Sequence, residues 1–234
     1  MENSHFKEQV KTKEELRRIV GAPNKLAHQK IISYLDRHCR EFIKHSPFVI
    51  IATADYKGIC DSSPRGDHPG FVQVVDEKRL LIPERRGNQK VDSLENILSN
   101  PQIGLLFLIP GIEETLRING KACIVKEKAL LETMAVHNKT PLLAIGVEVQ
   151  ECFLHCSKAF KRSKLWNPES WERVETLPSA AKIVAEHAGF STLESRNNPE
   201  ESKTQHFYEK KAAIMRLLSF YHQKQYTSGN DQNW

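Results

Sequence analysis

Residues 48 to 66 read FVIIATADYKGICDSSPRG. FVIIATA is rich in β-branched residues, DYKG carries turn signals, and ICDSSP is a second extended run. The stretch therefore predicts strand 48–54, a tight turn, and strand 59–64 running back beside it. Arg65 and Gly66 close the hairpin. The same alternation of short strand and turn continues through FVQVVD (71–76), RLLIP (79–83), IGLLFLI (103–109), TLRINGKACIV (115–125) and LLAIGVEVQECFL (142–154), with DEK and PGIE as further turns. Many short strands joined by hairpins, with few helices between them, predict a mainly β fold with peripheral helices (α+β), a six- to seven-stranded antiparallel barrel.

Helices flank and interrupt the strands. Thr12 and Glu15 have capping-box spacing ahead of EELRRIV, which stops at Gly21 and Pro23. A longer helix is predicted from about Lys25 to Lys44, with Leu26, Ile31, Ile32, Leu35, Cys39, Phe42 and Ile43 on one apolar face. Further helices are predicted at 92–100, at about 126–137, and from near His155 to before Asn167. The organisation is a helical segment over 1–46 packing on the barrel, a barrel with inserted helices over 47–178, and a helical extension over 179–234. That extension holds a helix in AAKIVAEHAGF, a polar linker in STLESRNNPEESKTQ, an amphipathic run in HFYEKKAAIMRLLSFYHQKQ and a disordered end.

Composition narrows the class of function. The chain has 234 residues, 39% of them apolar, enough for a packed core. No apolar run approaches the length of a membrane-spanning helix, and the first residues lack the apolar core of a signal peptide, so a soluble, cytoplasmic protein is expected. Cys39, Cys60, Cys123, Cys152 and Cys156 are odd in number and scattered, which suits a reducing compartment. The net charge of +5 is dispersed among acids, so neither nucleic acid nor membrane is expected as a partner. A small anionic ligand fits better.

Two basic turns leave strands in this sequence. Arg65 follows a strand, with Gly66 behind it to let the backbone turn. Lys90 follows ERRGN and precedes DSLENILSN (92–100). A planar guanidinium can hold two oxygens of a phosphomonoester through charge-assisted hydrogen bonds, and an ammonium adds a compact second charge. Asp92 and Glu95 read as an acidic capping pair, which would leave phosphate binding to side chains. Taken singly, Arg65, Arg85, Arg86 and Lys90 read as readily as solvated turn residues with loose partners such as Asp61 or Glu84. Cys152, His155 and Cys156 have no second ligand pair at metal spacing, so no metal site is expected.

The ordered set FVIIATADYKGICDSSPRG, RLLIPERRGNQKVDSLENILSNPQIGLLFLIPG and ETLRINGKACIV resembles the FMN-binding split barrels of the pyridoxamine 5'-phosphate oxidase-like family. The resemblance is strongest to the branch with a Ser-Pro-Arg-Gly turn, a Gly-Asn-x-(Arg/Lys)-x-Asp-Ser-Leu helix start and an ETLR-x-NG strand, and it spans roughly residues 12 to 180. It implies a homodimer with FMN between subunits and an oxidoreductase activity on an unidentified small molecule. It also implies that Arg65 and Lys90 bind the FMN phosphate, with Ser63, Asn88 and Ser93 as hydrogen-bonding neighbours. Backbone from Ser63, Pro64 and Arg65 and from Ile82 and Pro83 would line the ring. Thr115 is implied near the cofactor, as is Arg117 if it faces inward. The run ECFLHCSKAFKRSKLW resembles the branch's own segment and implies His155, Lys158 and Trp166 near the flavin of one subunit or the other, while Trp166 reads equally as core packing. No catalytic side chain is assigned. The chain lacks the arginine-rich terminal segment of the vitamin B6 oxidases, so a flavin-storing dimer and a cofactor-free interaction protein stand as alternatives.

Overall fold

The computed structural model describes residues 6–87, 89–172 and 177–189. By its contacts the chain divides into two units, residues 1–171 and 172–234. The second unit is described by one helix, Ala180–His187, whose first turn is capped where the Lys182 amide donates to Ser179 Oγ at 3.3 Å. The polar linker, the amphipathic run and the terminal residues expected beyond it lie outside the described residues.

The first unit is built on seven strands: β1 Phe48–Ala54, β2 Cys60–Gly66, β3 Gln73–Val74, β4 Arg79–Glu84, β5 Gln102–Leu108, β6 Thr115–Val125 and β7 Leu143–His155. They form one antiparallel sheet in the order β2-β1-β5-β6-β7-β4-β3. Alternate residues of each strand point to one side, as strand geometry requires. Val49 and Ile51, Ile103, Leu105 and Phe107, Leu116 and Ile118, and Ile145 and Val147 thus meet in a single core with Leu80 and Ile82. Fully burying each such side chain is worth about 1.5–3 kcal/mol.

Five helices were expected around the barrel, and their outlines differ in instructive ways. The first, α1, spans Lys13–Val20 as the capping box predicts, with the Glu15 amide donating to Thr12 Oγ1 at 3.1 Å. The helix expected from Lys25 to Lys44 is instead two. Helix α2 is Lys25–Gln29 and helix α3 is Arg37–His45. Between them Ile32 leaves the helical path to exchange backbone hydrogen bonds with Cys152 of β7, at 3.1 and 2.7 Å. Asp36 then restarts the helix, its carboxylate accepting from the Cys39 amide at 2.8 Å, a bond that lowers the carboxyl pKa. The apolar face splits accordingly: Leu35, Cys39 and Ile43 are buried, whereas Leu26 is exposed.

Helix α4, Asp92–Ser99, lies where expected, but Asp92 and Glu95 do not form a capping pair. Val91 is the cap residue, without a side-chain bond, and Asp92 turns to Lys90. The helix expected at 126–137 contracts to α5, Lys128–Glu132, because Val136 and Lys139 pair in a tight turn. Helix α6 is Lys158–Ser163. Strand β3 is also shorter than the expected 71–76, since Phe71 is bent by a turn to His68 and the amides of Val75 and Asp76 fold back onto the Arg79 carbonyl.

At Asn119 and Gly120 the β6–β7 register shifts in a bulge. A side chain at Gly120 would drive its Cβ into the carbonyl oxygen of Glu148, backbone against backbone. Gly120→Ala is therefore expected to destabilise the protein by about 1–3 kcal/mol, read as a lower urea midpoint at unchanged slope.

Candidate functional site

The sheet leaves two edges facing each other. Strand β2 pairs only with β1. Strand β3 covers only Leu80 and Leu81 of β4, so among the described residues Ile82 to Glu84 have a strand partner on the β7 side alone. No ladder joins β2 to β4. Side chains span the gap instead.

Asp61, Ser63 and Arg65 share the side of β2 that Thr53, Ile51 and Val49 share on β1, since these are the registered pairs and alternate residues point alike. Arg65 reaches across to the end of β4, donating Nε to Glu84 Oε2 at 3.0 Å, with Nη2 also 3.0 Å from that oxygen. Its Nη1 turns back to Ser63 Oγ at 2.5 Å and to the Pro64 carbonyl at 3.0 Å. The side chains of Arg65 and Glu84 are only 16% and 22% exposed. One residue beyond β4, Arg85 makes the reverse crossing, donating Nε to Asp67 at 2.8 Å and Nη1 to the Met134 carbonyl at 2.9 Å.

The other end of the β2 row meets α4. Ser93 is buried and donates to Asp61 Oδ2 at 2.6 Å, while Asn96 donates to Thr53 Oγ1 at 3.1 Å. These bonds fix the helix start, and with it Lys90, against β2. The Lys90 ammonium lies 2.7 Å from Asp92 Oδ2 and is 73% exposed. Its hydrogen bond to Asp92 holds its pKa above the ordinary value, and the charge of Asp61 adds to the effect. Arg65 folds back toward Ser63 at one end of the β2 row, and the helix that follows Lys90 meets Asp61 at the other.

The remaining expected site residues divide. Ile82 is completely buried in the core, so only its backbone could meet a ligand, and Pro83 is buried beside it opposite Ala144. Asn88 lies outside the described residues. Thr115, Arg117 and His155 stand apart from the β2 row, on the opposite surface of the sheet. Arg117 does not turn inward: it is exposed, with its guanidinium 5.7 Å from the Phe153 ring centre. Thr115 is buried and His155, opposite it in register, is exposed. Lys158 is exposed at the start of α6. Trp166 is half-buried against Phe160 at 5.7 Å and donates Nε1 to the Ile112 carbonyl at 2.9 Å. Cys152 and His155 point to opposite sides of β7. Cys152 lies buried 3.2 Å from Cys39, a contact that together with burial pushes its thiol pKa up.

Two pairings escaped the sequence reading, Arg85 with Asp67 and Asp61 with Ser93. A signal was present: Asp61, Ser63 and Arg65 alternate along one side of a strand that apolar residues would otherwise line, and Asp67 follows at the same spacing just past its end.

Residues 35–156 match the pyridoxamine 5'-phosphate oxidase family. The chain belongs to that family. No curated protein matches it. Solved structures similar to it include HupZ of Group A Streptococcus, 21% identical, covering 51% of this chain and 92% of that one at a TM-score of 0.42. General stress protein 26 of Bacillus anthracis is 14% identical, covering 50% and 93% at 0.38. An FMN-binding protein of Syntrophomonas wolfei is 11% identical, covering 61% and 96% at 0.40.

The half-buried Arg65–Glu84 pair is expected to matter to stability and the exposed Lys90–Asp92 pair to matter little. Glu84→Ala strands the Arg65 guanidinium and should cost about 1–3 kcal/mol in urea unfolding, while Lys90→Ala should leave the midpoint nearly unmoved.

Proposed function

We propose that the chain is a flavin-binding oxidoreductase that holds FMN at the gap between β2 and β4, its phosphate at Arg65, Lys90 and the hydroxyls of Ser63 and Ser93. The observation that supports this reading is that Arg65 and Ser63 share one row of β2 and that Ser93, in the helix that follows Lys90, is bonded to Asp61 in the same row. A guanidinium, an ammonium and two hydroxyls are the donor set that a doubly charged ester requires. The adjoining backbone of Ser63 to Arg65 and of Ile82 and Pro83 has open edges, which suit the hydrogen-bonding rim of a planar heterocycle. Bound there, FMN would supply two-electron redox chemistry, for which no side chain need act as nucleophile or base.

The protein's part is to bind, orient and tune. Arg117 and His155 lie on the other surface of the sheet, where Pro64, Ile50, Leu106, Arg117 and Phe153 form one registered row across five strands. Pairing two copies through this partly exposed, largely apolar surface would bury it and bring one copy's Arg117 and Lys158 toward the other copy's gap, placing positive charge where a reduced ring becomes anionic. A homodimer is therefore part of the reading, as is a cytoplasmic setting suited to five free cysteines. Among the described residues no helix is long and apolar enough to cross a membrane. The substrate is a small molecule whose identity the site leaves open. The engagement of Arg65 by Glu84 favours one second reading, a cofactor-free barrel serving interaction.

Titration of FMN, followed by flavin fluorescence quenching, separates the two. FMN should bind the wild-type protein, and Arg65→Ala should weaken it by about 1.5–3 kcal/mol. Absence of FMN binding would leave the cofactor-free barrel, and unchanged affinity in the variant would remove the phosphate from Arg65. Light scattering should give twice the chain mass, and a monomer would refute the shared site.

A further inference from the structure

A guanidinium carries five N–H groups in a rigid fork. In Arg65, Nε donates to Glu84 Oε2, Nη2 lies 3.0 Å from the same oxygen in the ion pair, and Nη1 donates to Ser63 and to the Pro64 carbonyl. One donor is left. A phosphomonoester gripped by two parallel hydrogen bonds needs an adjacent pair, and the Nε and Nη2 pair is the one Glu84 holds.

The carboxylate is held at this place by the fold. Glu84 is the last residue of β4, and the next residue, Arg85, is tied to Asp67 and Met134, so the strand end cannot easily withdraw. Its side chain is 22% exposed, which limits the solvent available to screen it. The other carboxylates around the row are engaged elsewhere: Asp61 by Ser93, Asp67 by Arg85 and Asp92 by Lys90. Glu84 alone stands on Arg65.

We infer that Glu84 is an internal stand-in for the ligand's phosphate: it occupies the Arg65 fork until a phosphorylated ligand displaces it, and so sets the affinity and the phosphate selectivity of the site. This rests on the reading that Arg65 meets the phosphate of FMN. Displacement exchanges one anion for another on the same fork, so a singly charged anion gains little and a doubly charged phosphomonoester gains most. A ligand without phosphate leaves the pair untouched. The displaced carboxylate stays near the bound phosphate and repels it, which makes removal of the Glu84 charge a gain for binding.

The test uses the full chain with Glu84→Gln, which keeps side-chain length and an acceptor for Arg65 while removing the charge. FMN, riboflavin and inorganic phosphate are titrated into wild type and variant by fluorescence quenching and calorimetry, with thermal unfolding as the control for folding. Affinity for FMN should rise about tenfold or more in the variant. Inorganic phosphate should follow in the same direction, and riboflavin should stay within about twofold, since its phosphate-free form never meets the fork. If wild type binds FMN more tightly than riboflavin but Glu84→Gln binds FMN no better, the stand-in is refuted while the flavin reading survives. If neither protein binds FMN, or neither distinguishes FMN from riboflavin, the reading and this inference fall together. Should the variant fail to fold, the wild-type Arg65 Nε–H resonance decides. It should move when FMN is added and stay when riboflavin is added, and a resonance unmoved by bound FMN overturns the inference.

Discussion

Between the open edges of β2 and β4 the barrel is closed by charge rather than by backbone. Arg65 crosses to Glu84 and Arg85 crosses back to Asp67, and all four side chains are less than one third exposed. A ladder at this place would seal the barrel and bury every amide of both edges. Ion pairs hold the edges together while leaving backbone groups unladdered. The architecture of the site follows from that substitution.

The same constraint explains the arrangement of α4. An inward-facing row of Asp61, Ser63 and Arg65 would be costly beside Val49 and Ile51 if its polar atoms had no partners. Ser93 satisfies Asp61, Asn96 satisfies Thr53, and Glu84 satisfies Arg65. The helix is thus fastened to the hairpin by hydrogen bonds at the polar end, while Leu94 and Ile97 enter the core. On the proposed reading, structural and binding roles would fall on the same residues, and a ligand that claimed Arg65 would take over the work of its carboxylate partner.

The outer surface of the sheet presents a separate set of groups. Phe153 lies beneath two cations, Lys30 at 5.3 Å and Arg117 at 5.7 Å, and Asn119 donates to Glu151 at 2.8 Å. One chain alone keeps this surface away from the β2 row. That separation is why residues grouped by the family resemblance, such as Arg65 and Arg117, are not brought together within a single copy.

Strand positions were legible in the residues themselves, because β-branched runs and turn signals reflect local sterics: β1 and β6 match their expected limits, and β2, β4, β5 and β7 match within a residue or two. The capping box of α1 was legible for the same reason. What failed were features set by particular contacts, one of them distant and two of them close along the chain. The helix expected from Lys25 broke at Ile32 because a β7 backbone 120 positions along the chain offered it hydrogen bonds. Asp92 left its capping position because Lys90 lay nearer, and β3 shrank because a turn at Arg79 claimed its amides. The residue types at the site, and the alternation that puts Asp61, Ser63 and Arg65 on one side of β2, were determined by the chain alone. Which carboxylate answers which cation was decided only when folding brought the end of β4 to the edge of β2, since electrostatic pairing depends on distances in space that local order along the chain does not encode.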